Sequence, residues 1–284
     1  MKKVFQRLII FFTGVPVLLS LIVFLPQYNH LCLNLVAIAF SVFGAVEFRN
    51  ILSHKKLLIS VPETVILGAI SPVAWTLMVC FGVVNIVNGV FIVGASWLLV
   101  SGIFTSQDKF DSYIGRIAAG FAVMIYPGLF MAWIVRMSAL REASMVILVY
   151  FLVVFLNDAM AWVVGNLFGK GNQGLVPASP KKSIAGFIGG LVASVVTGIA
   201  AAYLLPGSFT PALMSPVLAG ALLGFGAGIA GTVGDLGESA IKRSAVVKDS
   251  GALILGRGGA LDCIDSLSLA APVYYMLYRI LFLS

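Results

Sequence analysis

Charge is scarce in this sequence. Asp, Glu, Lys and Arg make up only 10% of its 284 residues, while 60% are hydrophobic. Soluble domains carry about 25% charged residues, so no water-soluble fold can hide this much apolar surface. A bilayer can, because there the outward surface should be apolar. Cysteine is equally sparse: Cys32, Cys80 and Cys263 are scattered without metal-type or redox-type spacing, which argues against a disulfide framework. Hydrophobic runs cover nearly the whole chain, so one membrane domain without a soluble module is expected, and the sequence shows no internal repeat of the two-half kind. No small-x-small cleavage site follows the first apolar run (8–25), where Pro26, Gln27, Tyr28, Asn29 and His30 come next. An uncleaved first span is therefore expected. The net charge of +7 would suggest nucleic acid in a soluble protein. Here the cations sit between apolar runs, where they report topology and lipid headgroups instead, and no nucleic-acid partner is expected.

A bilayer core is crossed by roughly 20 helical residues. The apolar runs predict an all-α, polytopic transmembrane bundle of about nine spans, at 8–25, 31–48, 61–84, 86–105, 115–135, 145–165, 184–205, 214–234 and 266–283. The division between the third and fourth is marked only by Asn85 and Asn88. With the N-terminus in the cytoplasm, the inside segments hold Lys2, Lys3, Arg7, Arg49, Lys55, Lys56, Lys109, Arg116, Lys170, Lys181, Lys182, Lys242, Arg243, Lys248 and Arg257. The outside segments hold Arg136, Arg141 and Arg279, a ratio of 15 to 3 that a wrong span count would scramble. Residues 1–110 read as N-terminal transmembrane helices. Residues 111–284 read as C-terminal helices carrying a cytoplasm-facing site, because spans seven and eight are rich in Gly and Ala, which let membrane helices approach closely. The long polar loops, about 166–183 and 235–265, also fall there.

The eleven acids are few enough for their placement to be informative. Asp158 falls near the end of the sixth span. An ionised group near mid-bilayer costs about 2.5–3.5 kcal/mol, so Asp158 should face the bundle, as a helix-pairing hydrogen bond or as a lining residue of a polar site. Asp235, Glu238, Ser239, Lys242 and Arg243 share one face if the helix of span eight continues. Asp262 and Asp265 share another at the foot of span nine. Carboxylates gathered from two helices offer the oxygen ligands that Mg²⁺ takes together with substrate phosphate. Their interleaving with Lys242, Arg243, Lys248 and Arg257 suits a metal-bound polyphosphate rather than a merely solvated loop. Gly256, Gly258 and Gly259 would let backbone N–H groups approach an anion. In the other loop, Pro180 and Ser183 suit a turn and a helix start, which would put Lys181 and Lys182 at a positive helix N-terminus. Glu47, ending span two beside Arg49, reads as a local interfacial ion pair or as a site residue.

The stretch Ser239-x-x-Lys242-Arg243-x4-Lys248-Asp249 followed by Gly258-Gly259-x-x-Asp262-x-x-Asp265-Ser266 resembles the C-terminal signature of the phosphatidate cytidylyltransferase (CDP-diacylglycerol synthase) family. Ser179-Pro180-Lys181-Lys182-Ser183-x-x-Gly186-Phe187-x-Gly189-Gly190 resembles a second family element, and Asp158, Gly165, Phe168, Gly169 and Lys170 fit a third. The likeness covers roughly residues 155–266; the first four spans match only in hydropathy.

The resemblance implies an all-helical membrane enzyme, usually dimeric. It would join CTP to phosphatidic acid and release pyrophosphate, with Mg²⁺ and a second, potassium-like cation. Asp235, Asp262 and Asp265 would bind metal. Lys242, Arg243 and Asp249 would join them in catalysis. Asp158, Lys170, Ser179, Lys181, Lys182, Ser183, Ser239, Lys248, Arg257, Gly258 and Gly259 would hold substrate. A bacterial inner-membrane location with the site facing the cytoplasm is expected. A relative acting on another lipid phosphate, or a transporter, are the alternatives. The chain departs from the family where Leu255-Gly256-Arg257 stands for Pro-x-His, Cys263 for Arg and Ser183 for Thr.

Overall fold

The computed structural model describes residues 2–84, 86–104, 107–211, 213–254, 256 and 258–283, with side chains from residue 13 onward except 104–109. Ten α-helices are found among them: α1 (Lys2–Phe24), α2 (Gln27–Ser53), α3 (Val61–Phe81), α4 (Ile86–Val100), α5 (Tyr113–Val123), α6 (Phe130–Met137), α7 (Ala143–Phe168), α8 (Ile184–Leu204), α9 (Pro216–Ser244) and α10 (Leu261–Phe282). A π-turn at Met124–Leu129 joins α5 to α6, so the described residues form nine rods. Seven rods, from 27–53 to 216–244, are long and apolar enough to cross a membrane. In hydrocarbon every backbone polar group must be satisfied internally, which a helix achieves within itself. This is an integral membrane protein of the all-α class.

Two compact units form by contact, Met1–Ala139 with Ile241–Ile264, and Leu140–Ala240 with Asp265–Ser284. The first thus contains α1–α6 and the loop between α9 and α10. The second contains α7, α8 and most of α9 and α10. These units follow a different line from a simple division at residue 110, which falls at the start of the apolar rod 110–137.

In the first unit, helix ends lie where turn chemistry allows. Ser60 caps α3, accepting from Glu63 N–H, and Gly82 closes it in the left-handed region at φ 72°. The expected marker Asn85 lies outside the described residues. Pro127 falls in the π-turn, where the buried Ser41 hydroxyl donates to both Pro127 O (2.6 Å) and Gly68 O (2.8 Å). A neighbour's hydroxyl thus serves carbonyls at the proline break.

In the second unit, α8 is two-faced. Ile184, Ile188, Val192 and Val196 are exposed at a spacing of four, while Gly186, Gly190, Ser194 and Gly198, at the same spacing, are buried. The small face meets α7 and α9 at backbone distance. A Cβ on Gly190 would lie 2.8 Å from Asn157 O, and one on Gly198 only 2.1 Å from Gly220 O. Small residues rather than apolar bulk hold membrane helices together in this way.

The sign of a glycine substitution should therefore depend on place. Replacing Gly by Ala in an open helix favours folding by about 1 kcal/mol, and Gly89→Ala, with open space around it, should hold or raise the melting temperature in detergent. Gly198→Ala should lower it.

Candidate functional site

The site residues fall into two sets, one in each unit. In the second unit, α7 carries Asp158, α9 carries Asp235 and Glu238, and α10 carries Asp265 in its first two turns. Gly234 lets α9 pass close to α10 there, since a Cβ would lie 2.4 Å from Asp265 O. Burial, then the nearby charges of Asp235, Glu238 and Asp158, push the Asp265 carboxyl well above its usual range, against a 2.6 Å bond from Ser266 N–H. Ser266 Oγ also reaches Asp158 Oδ1 at 3.5 Å. The acids are answered by Lys182, whose ammonium is bonded to Asp235.

Lys182 is placed by the loop before α8. Ser183 caps that helix, accepting from Gly186 N–H at 3.1 Å, as the sequence predicts despite Ser standing for Thr. Ile184 N–H donates to Asn172 O at 3.0 Å, and Gly171 and Gly174 take φ of 85° and 86°, so the loop is folded back on itself. Asp158 sits beside a buried hydrogen-bonded knot in which Asn157 Nδ2 donates to Ser194 Oγ (2.9 Å) and Gly228 O (3.1 Å). Lys170 and Lys181 are exposed, and Ser179 and Ser239 are half-buried.

In the first unit the loop after α9 folds over Asp262. The Asp262 carboxylate accepts from Lys242 Nζ (2.5 Å) on one oxygen, and from Ser250 N–H (3.0 Å), Ser250 Oγ (2.9 Å) and Gly259 N–H (2.7 Å) on the other. Burial alone would raise this carboxyl. The Lys242 ammonium and the two backbone N–H groups outweigh it and hold Asp262 below its usual range. The glycine run does bring a backbone N–H to an anion, and that anion is Asp262 itself. Gly258, at φ 109°, has no room for a side chain, since a Cβ would lie 2.4 Å from Asp262 Oδ2. Arg243, Lys248 and Asp249 are exposed; Arg257 lies outside the described residues.

Sequence reasoning missed Ser250 and left Glu47 unplaced. Glu47 does not pair with Arg49, whose Nε donates to Ile59 O at 2.9 Å. It is buried and accepts from Ser250 Oγ (3.0 Å) and Leu261 N–H (2.9 Å). One signal was available: an acid in an otherwise apolar run must find a partner.

Among the described residues, no three His, Cys, Asp or Glu side chains converge closely enough to hold a metal ion. Chemically, the second unit offers four carboxylates on α7, α9 and α10, with the ammonium of Lys182 from the loop before α8 against one of them; carboxylate oxygens are the donor type hard cations take.

Fold and site together define an integral membrane protein with buried polar chemistry. The Cytidylyltransferase family model matches residues 5–281. The chain belongs to that family. It is 38% identical over 138 residues to the phosphatidate cytidylyltransferase of a Synechocystis strain, a match covering 48% of this chain and 44% of that protein. The Staphylococcus haemolyticus enzyme of that name is 33% identical over 187 residues, 66% and 67% of the two chains. The one from Staphylococcus aureus is 29% identical over 267 residues, 92% and 95%.

Breaking a buried ion pair by removing one partner costs about 3–5 kcal/mol, and the Lys242 and Asp262 side chains are only 11% and 9% exposed. Lys242→Met should lower stability by up to that amount. Adding Asp262→Asn should restore part of it, measured as a double-mutant cycle of thermal unfolding in detergent.

Proposed function

We propose that this protein is a CTP:phosphatidate cytidylyltransferase. A phosphate oxygen of phosphatidic acid attacks the α-phosphorus of CTP. The new P–O bond yields CDP-diacylglycerol, and cleavage of the α–β anhydride releases pyrophosphate. Membership of the family over residues 5–281 carries this reading, and the acid and lysine placement supports it.

Both reactants are anions, so catalysis of such transfer is mostly positioning and charge neutralisation. The carboxylate set on α7, α9 and α10 fits Mg²⁺ by donor type, with Asp235 and Asp265 as its holders and a second cation such as K⁺ beside it. Mg²⁺, when bound, would neutralise triphosphate oxygens and the leaving pyrophosphate. Lys182, now bonded to Asp235, is the cation nearest that set and the group best placed to turn to a phosphate. Lys170 and Lys181, exposed on the same loop, would draw CTP from water. Asp262 holds its charge in the Lys242 pair, so in this reading it orders its loop, and it meets a cation only if Lys242 moves to a phosphate. The excess of Lys and Arg on one side of the predicted spans supports a cytoplasm-facing site in a bacterial inner membrane, which is where CTP is available. A homodimer is the assembly the family resemblance implies.

Purified protein given phosphatidic acid and radiolabelled CTP should make labelled CDP-diacylglycerol and pyrophosphate only with Mg²⁺. Asp265→Asn should lower turnover on the order of a hundredfold or more. Absence of product from folded wild type, with turnover of another lipid phosphate instead, would replace phosphatidic acid as the acceptor.

A further inference from the structure

Glu47 lies on α2, far from the C-terminal motifs in sequence, yet its carboxylate is at the centre of the first unit's polar network. One oxygen, Oε2, accepts both from Ser250 Oγ at 3.0 Å and from Leu261 N–H at 2.9 Å. Those partners are 203 and 214 residues away in sequence, so neither contact is local. Leu261 is the first residue of α10, whose unpaired N–H groups favour a negative charge. Ser250 Oγ also lies 2.9 Å from Asp262 Oδ2, so one hydroxyl proton is shared between two carboxylates.

The glycines of the loop are shaped to this acid. A Cβ on Gly251 would come 2.3 Å from Glu47 Oε1, and one on Gly259 would come 2.1 Å from Glu47 Oε2. Gly251 and Gly259 thus leave space for the Glu47 carboxylate as well as for a turn. The same Gly259 donates its N–H to Asp262. Glu47 is 9% exposed, and burying a carboxylate this deeply is unfavourable unless donors surround it. Two donors and two glycine gaps provide that surrounding.

We propose that Glu47 is a positioning residue for the cytidylyltransferase reaction. From α2 it holds Ser250, Gly251 and Gly259 of the loop after α9 and the start of α10, and through Ser250 and Gly259 it sets the Lys242–Asp262 pair, whose lysine enters the reaction by turning to a phosphate. It touches no phosphate itself. The catalytic part of this proposal rests on the function proposed above; the anchoring part rests on geometry alone.

The test uses full-length protein in detergent, as wild type, Glu47→Ala, Glu47→Gln and Ser250→Ala. Hydrogen–deuterium exchange over residues 245–261 reads the anchor without any turnover. Exchange there should speed up on the order of tenfold or more in Glu47→Ala, with α7 and α8 unchanged. Turnover per folded molecule, counted by size-exclusion chromatography, should fall on the order of 10–100-fold. Glu47→Gln, which still accepts from Leu261 N–H and Ser250 Oγ, should recover most of it. Ser250→Ala removes one tether and preserves the buried acid, so it should show a smaller loss in the same direction, and a Glu47→Ala/Ser250→Ala double variant should lose less than the two single losses combined. Unchanged exchange in Glu47→Ala overturns the anchor. Faster exchange with full turnover per folded molecule overturns the positioning role and leaves only a structural one. Wild type without turnover overturns the cytidylyltransferase reading and the positioning role with it, while exchange still decides the anchor.

Discussion

A charge placed in apolar surroundings must find a partner, a cation or water, and that constraint organises this molecule. Stripped of counter-charge, a buried ion costs several kcal/mol. The chain has few charges, so each pairing fixes a large piece of structure. Glu63 with Arg116 ties α3 to α5, with Trp97 donating to the same carboxylate at 2.9 Å. Lys182 with Asp235 ties the loop before α8 to α9. Lys242 with Asp262 ties the end of α9 to the start of α10. Each pair joins elements that no hydrophobic contact would hold in register, because lipid is as good a partner for an apolar helix face as another helix is.

Close backbone approach makes such pairing possible. Side chains of Asp and Lys are short compared with the width of a helix, so the rods must come near for them to meet. Gly186 and Gly190 bring α8 against α7, Gly198 and Gly224 bring it against α9, and Gly234 brings α9 against α10. Where the same helices face outward they present Ile, Val and Leu. The glycine content that marks the second half of the sequence is therefore the geometric condition for its acid cluster. Closeness and charge placement are two aspects of one arrangement.

What the sequence disclosed divides along the same line. Local features were legible: among the described residues nine apolar stretches became nine rods, seven of them long and apolar enough to cross a membrane, Ser183 capped α8, and the helix of span eight continued through Lys242 and Arg243. Hydropathy and capping act within a few residues, so one window contains their cause. Long-range pairing was not legible. Glu47 beside Arg49 looks like an ion pair, but each side chain turns elsewhere, to Ser250 and Leu261 in one case and Ile59 in the other. The glycine run before α10 looks like an anion cradle and is one, but its anion is an aspartate of the chain. Periodicity places a residue on a face; it does not say which distant loop will cover that face.

Asp262 and Asp265 show how much such covering decides. Three residues apart on one helix, they look interchangeable as oxygen donors. Asp262 is held below its usual range by Lys242 and the N–H groups of Gly259 and Ser250, whereas Asp265 is driven well above its own by burial and three neighbouring acids. Neighbouring carboxylates pushed apart in this way have divided roles. Asp262 has its counter-charge and keeps it, so its work in this state is to hold shape. Asp265 is pushed the other way by burial and by Asp235, Glu238 and Asp158, against the single N–H of Ser266, while Lys182 is bonded to Asp235. Of the two, Asp265 is therefore the acid on which the proposed metal reading turns, since burial and its neighbours Asp235, Glu238 and Asp158 make its charge the costlier one to carry.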